Sequence, residues 1–397
     1  MKKENSDFIC HQDSRILTLS HRQLDTHVAS CCLYEFEDII FDLDAVDVFT
    51  PVNSYNYSKK IYTWLKRATR SSLFANYIKP DPNPCSLDRD YELFNVILAK
   101  PWQVLSLNSL KGWRKKSKKA ICYLIEIWDK DFEGFKPLLK LLKDFEHIFV
   151  GVAGSTEKIA KFTGIPCTYL PPGIDTVKFY PYPFSSDRYI DVSYIGRRSP
   201  VTHQALLSLA QQGKIHYLYD TARNLNIIDP KEHRSLLANL TKRSRYFIAN
   251  RPMIDKPNIR GNQSEIGYRF FEGAAAGTVM IGDYPDTKMF NQYFDWSDAV
   301  IRIPFDAPNI ADIIADLDAQ PFRLSRIRRD NVVNSLLKHD WVYRWKTILE
   351  TVDLPVTSKM LSRENYLKDL AQMASGKGLE RTPSNDLYIN NISSFTL

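Results

Sequence analysis

The feature that most restricts the fold is an alternation of short apolar runs with segments whose apolar residues recur at helical spacing. In the first half the runs are RILTL at 15–19, DIIFDLDAVDVF at 38–49, VLSL at 104–107, AICYLIEIW at 120–128 and HIFVGV at 147–152. Helices are expected over FKPLLKLLKDF and STEKIAKFTG. In the second half IDVSYIG, IHYLYD, RYFIAN, TVMIGD and AVIRIPF alternate with HQALLSLAQQ, HRSLLANLTKR, DTKMFNQYF, IADIIADLDA and a long helical region over 322–352. Strand–helix–strand units close as parallel pairs, so the expected class is α/β with two parallel sheets. Pro171-Pro172-Gly173 and the mixed YPYPFSSDR at 180–188 read as the joint between them. The expected domains are 1–182 and 183–357, each about 180 residues long, followed by a helix and polar tail over 358–397. Ligands of parallel sheets lie at the carboxyl ends of the strands, so two facing sheets make a cleft.

Composition removes several function classes. The formal charge of +7 is spread over 53 basic and 46 acidic side chains, too balanced for a nucleic-acid coat, and no basic stretch carries a dense aromatic platform. No nucleic-acid partner is expected. The six cysteines include no CxxC pair, so neither a zinc site nor a disulfide framework is indicated and a reducing cytoplasm fits. Residues 1–10, MKKENSDFIC, lack the apolar core of a signal peptide, and no apolar run reaches membrane-span length. Two basic segments, the amphipathic 57–79 and KGWRKKSKK at 111–119, are candidate contacts with an anionic membrane or acceptor surface, or ordinary solvated faces. No HExxH, P-loop, GxSxG or GxGxxG fingerprint is present. DxD triplets occur four times, at Asp42, Asp88, Asp129 and Asp316, and a pattern that common does not identify a metal site. No metal ligand set is expected.

The richest stretch runs from Asn262 to Pro285. On a helical wheel Glu265, Arg269, Glu272 and Ala276 share a stripe about 60° wide, while Ile266, Phe270, Phe271, Ala274 and Ala275 cover the other faces. Asn262 or Ser264 is placed to cap the start, Gly277 to end the helix in a left-handed conformation, and Thr278–Ile281 to form a buried strand. The expected element is a buried helix whose only wet edge holds two carboxylates and a guanidinium. Such an edge is either a run of i,i+3 and i,i+4 salt bridges or a ligand site.

Several segments, in order, carry a resemblance. YLPPGIDTVKFYPYP is similar to the interdomain signature of GT-B glycosyltransferases, and Tyr194-Ile195-Gly196-Arg197 to the opening of their donor domain. GYRFFEGAAAGTVMIGDYP resembles the glutamate-bearing segment of the group 1 family and its spore-protein-like branch, and NVVNSLLKHDWVYRWKTILE that branch's C-terminal helix. The likeness spans about residues 165–352.

The resemblance implies a GT-B fold, two facing Rossmann-like domains, and transfer of a sugar from a nucleoside-diphosphate-sugar donor, with no further cofactor, to a glycan, lipid or small-molecule acceptor. It implies retention of configuration without a metal. Glu272 would accept the ribose hydroxyls, Gly196 and Arg197 would meet the diphosphate with His203 as a second cation, and Gly277 belongs to the same motif. Glu265 and Arg269 would face the reacting sugar and phosphates. Glu126 and Asp129, at the end of AICYLIEIW, stand where a catalytic acid or base and acceptor contacts would lie. His21 and Arg22 replace the glycine-rich turn of the family and would face the cleft. The chain also departs from the family: Glu265 lies seven residues before Glu272, where the family has eight. Two other readings stay open: a catalytically silent GT-B scaffold, which these departures support, and another enzyme of the same fold, a nucleotide-sugar epimerase.

Overall fold

The computed structural model describes residues 6–11, 13–51, 84–182, 187–222 and 224–376. The basic segment 57–79 lies outside them. The first sheet contains β1 (Ser6–Ile9), β2 (Ile16–Leu19), β3 (Val46–Pro51), β4 (Tyr91–Leu98), β5 (Ser117–Leu124), β6 (His147–Val150) and β7 (Cys167–Tyr169), in the order β1-β3-β2-β4-β5-β6-β7. β1 pairs antiparallel with β3, and the other neighbours are parallel. The second sheet is wholly parallel: β8 (Ile190–Ser193), β9 (Tyr217–Leu218), β10 (Ser244–Ile248), β11 (Val279–Gly282) and β12 (Ile301–Arg302), in the order β9-β8-β10-β11-β12. In each sheet the strand order reverses beside the first parallel strand, β2 or β8, which opens a crevice there. These are the two Rossmann-like halves of a GT-B fold.

Two expectations about the first domain are corrected. Residues 38–49 are not one strand. Phe36, Ile39, Ile40 and Leu43 recur at helical spacing and are buried, so helix α1 (Cys31–Leu43) ends at Asp44 and only Val46 onward is extended. VLSL at 104–107 sits in a 3-10 segment, Pro101–Ser109, begun by Pro101 and by the Gln103 carbonyl accepting from Ala99 N–H. The strand it was expected to form is β4, with both faces buried between β2 and β5. Helices α2 (Phe132–Leu139) and α3 (Ala153–Thr163) follow β5 and β6.

The second domain carries α4 (Pro200–Gln211), α5 (Pro230–Lys242), α6 (Tyr268–Ala275), α7 (Ile310–Asp318) and α8 (Pro321–Lys338). Ser199 and Asp229 cap α4 and α5, each with proline at the first position. The long helix expected over 322–352 is broken. His339 ends α8, and Asp340 caps a new helix, α9 (Trp341–Thr351).

That break returns the chain to the first domain. Trp341 stacks on Phe36 of α1 with ring centroids 4.5 Å apart, and Trp345 meets the same ring edge-on. Arg344 donates to the carbonyls of Pro171 and Pro172, both at 3.0 Å, and a β-carbon on Gly173 would lie 2.6 Å from the Trp341 ring. Only glycine leaves room for that indole. α10 (Ser358–Ala374) packs beside α8 and α9, where Arg363 makes a bidentate pair with Asp340 at 2.8 Å. The tryptophans anchor across domains, and the His339-Asp340 pair is structural: the His339 ring is enclosed by Phe271, Phe294 and Trp296. No helix among the described residues is long and apolar enough to cross a membrane.

Candidate functional site

The glutamate-bearing segment is organised differently from a single helix. α6 begins at Tyr268, with extended Gly267 at its N-cap, so neither Asn262 nor Ser264 caps it and Glu265 is not on its stripe. Inside α6 the sheet-facing side is closed by Phe270, Phe271 and Ala274. A β-carbon on Gly273 would meet Met280 at 2.7 Å, which explains a glycine in mid-helix.

Asn262 to Ile266 instead form a strap reaching the first domain. Both oxygens of Glu265 accept from the start of α3: Oε2 from Ala153 N–H at 2.7 Å and Oε1 from Gly154 N–H at 2.9 Å. α3 has no cap of its own from Val152, so a carboxylate from the other domain satisfies its exposed N–H groups and positive end. Burial raises the Glu265 pKa, and the N–H bonds partly oppose the rise. Beside it Gln263 accepts from Asp129 N–H at 2.6 Å and donates to Ser155 Oγ at 2.9 Å. Glu265 is therefore an interdomain latch, with only 2% of its surface exposed.

The charged edge of α6 is also covered rather than wet. Glu272 is 2% exposed and accepts from Arg234 of α5 and Arg269, each at 2.5 Å. Arg234 reaches across the seam to Glu35 of α1, with Nε to Oε2 at 2.9 Å and Nη2 to Oε1 at 3.2 Å, and Lys178 adds a contact at 3.4 Å. Burial alone would raise both carboxyls. The cations override it, holding Glu35 at about 2 and Glu272 below the ordinary range. Sequence reasoning missed Glu35 and Arg234. Glu35 lay in a stretch misread ahead of a strand, and one arginine in an amphipathic helix carries no signal of burial.

The remaining candidates divide between the seam and the scaffold. Gly196 has φ +100, and a β-carbon there would sit 3.7 Å from Nε of Arg269, so the loop after β8, Arg269 and Glu272 form one group. Arg197 in that loop is paired with Asp255 at 3.3 Å, its side chain 40% exposed. His203 is turned to the β9 side, Nδ1 2.7 Å from the Tyr217 hydroxyl, and burial lowers its pKa, so it is a poor fixed cation. Gly277 is the left-handed end of α6 (φ +61), pressed against Val332 of α8. Its place is structural.

On the first-domain side Glu126 accepts from Trp128 Nε1 at 2.5 Å, and Asp129 pairs with Lys158 at the mouth of the seam. His21 and Arg22 do not face the cleft as expected. His21 is buried against Ser106 Oγ at 2.7 Å, and desolvation lowers its pKa to about 4. Arg22 is held over α1 by Glu37 at 3.0 Å and Asp38 at 2.8 Å.

A cavity of about 530 Å³ opens at the seam between Asp129, Lys158 and Tyr169 of the first domain and Glu265, Thr287 and Lys288 of the second. It lies off the carboxyl ends of β5, β6 and β11, where parallel sheets take ligands. Lys158, Lys288, Thr287 and Tyr169 can offer donors to phosphate or hydroxyl groups, and Asp129 can accept.

Residues 203–350 match the family described as "Glycosyl transferase-like". Among solved structures, HepE of Anabaena in complex with UDP and glucose superposes with a TM-score of 0.50 at 12% identity, covering 86% of this chain and 99% of its own. A UDP-forming α,α-trehalose-phosphate synthase from Burkholderia xenovorans superposes with a TM-score of 0.51 at 9% identity, covering 86% and 99%. No curated protein matches the sequence. At such identities the likeness establishes the fold. The chain has the fold of these glycosyltransferases, and the part of it that resembles the glycosyl transferase-like family lies in the second domain.

Proposed function

We propose that this protein transfers a sugar from a UDP-sugar to an acceptor presented by the first domain. The observation that carries the reading is the interdomain cavity bounded by the family-matched strap 262–266 and by the start of α3. Uracil is the preferred base because both structural relatives named above are described with UDP or as UDP-forming. In this scheme Arg197 and Arg269 stabilise the departing diphosphate as fixed cations, and closure of the two domains excludes water. For Glu272 to hold the ribose, Arg269 must swing from it to the phosphates, because both carboxylate oxygens are occupied in this state. Retention follows if the leaving phosphate takes the acceptor proton, and no metal is needed for any step. Segments 57–79 and 111–119 would meet an anionic acceptor or membrane surface.

The test is a calorimetric titration of UDP-, GDP- and ADP-sugars with donor hydrolysis as a second readout, with and without EDTA. UDP-sugar binding and EDTA-insensitive turnover are expected. A silent scaffold is the second reading, favoured by the complete pairing of Glu265 and Glu272 within the protein. No affinity for any nucleotide-sugar would establish it.

A further inference from the structure

At the opposite end of the second sheet lies a cavity of about 360 Å³, lined by Tyr182, Asp187, Arg188, Arg245, Ser325 and Arg328. Arg188 lies two residues before β8 and Arg245 is the second residue of β10, so this site borders the amino ends of the strands, away from the interdomain cavity. Its three arginines are not equally satisfied. Arg245 is paired with Asp191 at 2.7 Å and Asp318 at 2.5 Å. Arg188 donates to the carbonyls of Ser244 at 2.7 Å and Ala276 at 3.0 Å, which fix the guanidinium without cancelling its charge. The side chain of Arg328, on α8, has neither hydrogen bond nor ion pair with any described residue, and its Nε is shut off from solvent.

A desolvated cation beside another cation is costly unless an anion completes it. The strain is visible in both groups. Burial, with the charge of Arg328, pushes Arg188 down to about 10, and burial likewise lowers Arg328. Asp187, at the rim, makes no ion pair with the described residues. Forked guanidinium donors suit a tetrahedral oxyanion, and Ser325 and Tyr182 add hydroxyl donors of the same polarity. The volume admits a small phosphate-bearing molecule or a lipid headgroup.

We propose that Arg328 and Arg188, with Ser325 and Tyr182, form a second anion site that takes a phosphate group, separate from the donor cleft and seated where the interdomain joint meets α8. The experiment titrates the full chain with pyrophosphate and with inorganic phosphate by calorimetry, in wild type, Arg328→Gln, Arg328→Lys and Arg197→Ala. A vesicle arm uses phosphatidic acid in phosphatidylcholine. Arg328→Gln is expected to weaken binding at this site about tenfold or more, Arg328→Lys to retain most of it, and Arg197→Ala, which can remove only pyrophosphate held in the donor cleft, to leave the Arg328-dependent component unchanged. Without anion, Arg328→Gln should melt no lower than wild type, because it removes an unpaired cation. Sedimentation with vesicles that Arg328→Gln abolishes supports the site with the phosphate arriving on a lipid, and binding of the free anions alone supports a soluble ligand. Equal binding by wild type and Arg328→Gln overturns the proposal. So does loss in Arg197→Ala with retention in Arg328→Gln, which places the anion in the donor cleft. Absence of binding in both arms overturns it as well.

Discussion

Arg234 is the residue on which the seam depends, because its guanidinium is the common partner of two buried carboxylates from different domains, Glu35 and Glu272. Replacing it with methionine takes from each buried anion its shared cation, leaving Glu272 only Arg269 and Glu35 only the longer contact with Lys178. The expected loss is about 3–5 kcal/mol, read as a fall in the urea midpoint. If Glu35→Gln in the Arg234→Met background restores part of that loss, the coupling runs through this ion pair. A loss under 1 kcal/mol in the single variant contradicts the assignment. The same burial decides how the donor reading is tested. Glu272→Ala is expected to lower turnover about tenfold or more but also to melt earlier, so the cleaner probe is the half-exposed Arg197→Ala, expected to lose turnover about tenfold with an unchanged melting temperature. Wild-type turnover in Arg197→Ala removes that residue from the mechanism. None of this pairing is legible in the sequence. The i,i+3 spacing of Arg269 and Glu272 anticipates their own contact, but Glu35 and Arg234 are 199 positions apart and meet only through the fold.

At the scale of elements, the strap 262–266 and the start of α3 act as a clasp across the cleft. Glu265→Ala leaves the Ala153 and Gly154 N–H groups without their acceptor. Adding Gln263→Ala removes the bonds to Asp129 and Ser155. The double variant is expected to open the domains, seen as a larger radius of gyration in solution scattering and faster proteolysis near residues 250–266, while α6 and the sheets remain folded. Scattering identical to wild type would mean that the clasp does not set the closed arrangement. The second-domain elements were legible because each parallel strand is an uninterrupted apolar run bounded by capped helices, as with Ser199-Pro200 and Asp229-Pro230. Two first-domain elements were not. α1 carries Glu35, Glu37 and Asp38 among its apolar residues, which hides the helical period, and β4 carries Glu92 and Asn95 within its apolar run, which breaks the strand pattern although turn residues precede it. α6 was placed correctly at its glycine end but started too early, because Glu265 has the right spacing for the helix and a stronger partner elsewhere.

For the whole molecule, stability should fall as pH drops from about 6.5 towards 4. His21, His147, His203, His233 and His339 all have pKa values lowered mainly by burial, so the unfolded chain binds more protons than the folded one in that window. A base whose folded pKa is depressed stabilises the protein above its unfolded value and loses that contribution as pH falls. For His21 the displacement to about 4 corresponds to at most about 3 kcal/mol. Glu35 and Glu272 act in the same direction below about 4.5. Glu37, Glu265 and Asp175, raised by burial, oppose it just above that value. Thermal melts between pH 4 and 8 in wild type and His21→Gln check this, and the variant's profile should be flatter. A profile that rises towards acid contradicts it. Taken by itself, the sequence determined that two parallel α/β units exist, that Pro171-Pro172-Gly173 joins them and that a helix ending at Gly277 leads into a buried strand, since these follow from local periodicity and glycine and proline stereochemistry. Only the tertiary structure decided that α9 and α10 return to the first domain, that Glu265 caps a helix 111 residues earlier and that Arg234 joins Glu35 to Glu272. Burial and charge pairing between distant segments are properties of the assembled chain, and no local spacing encodes them.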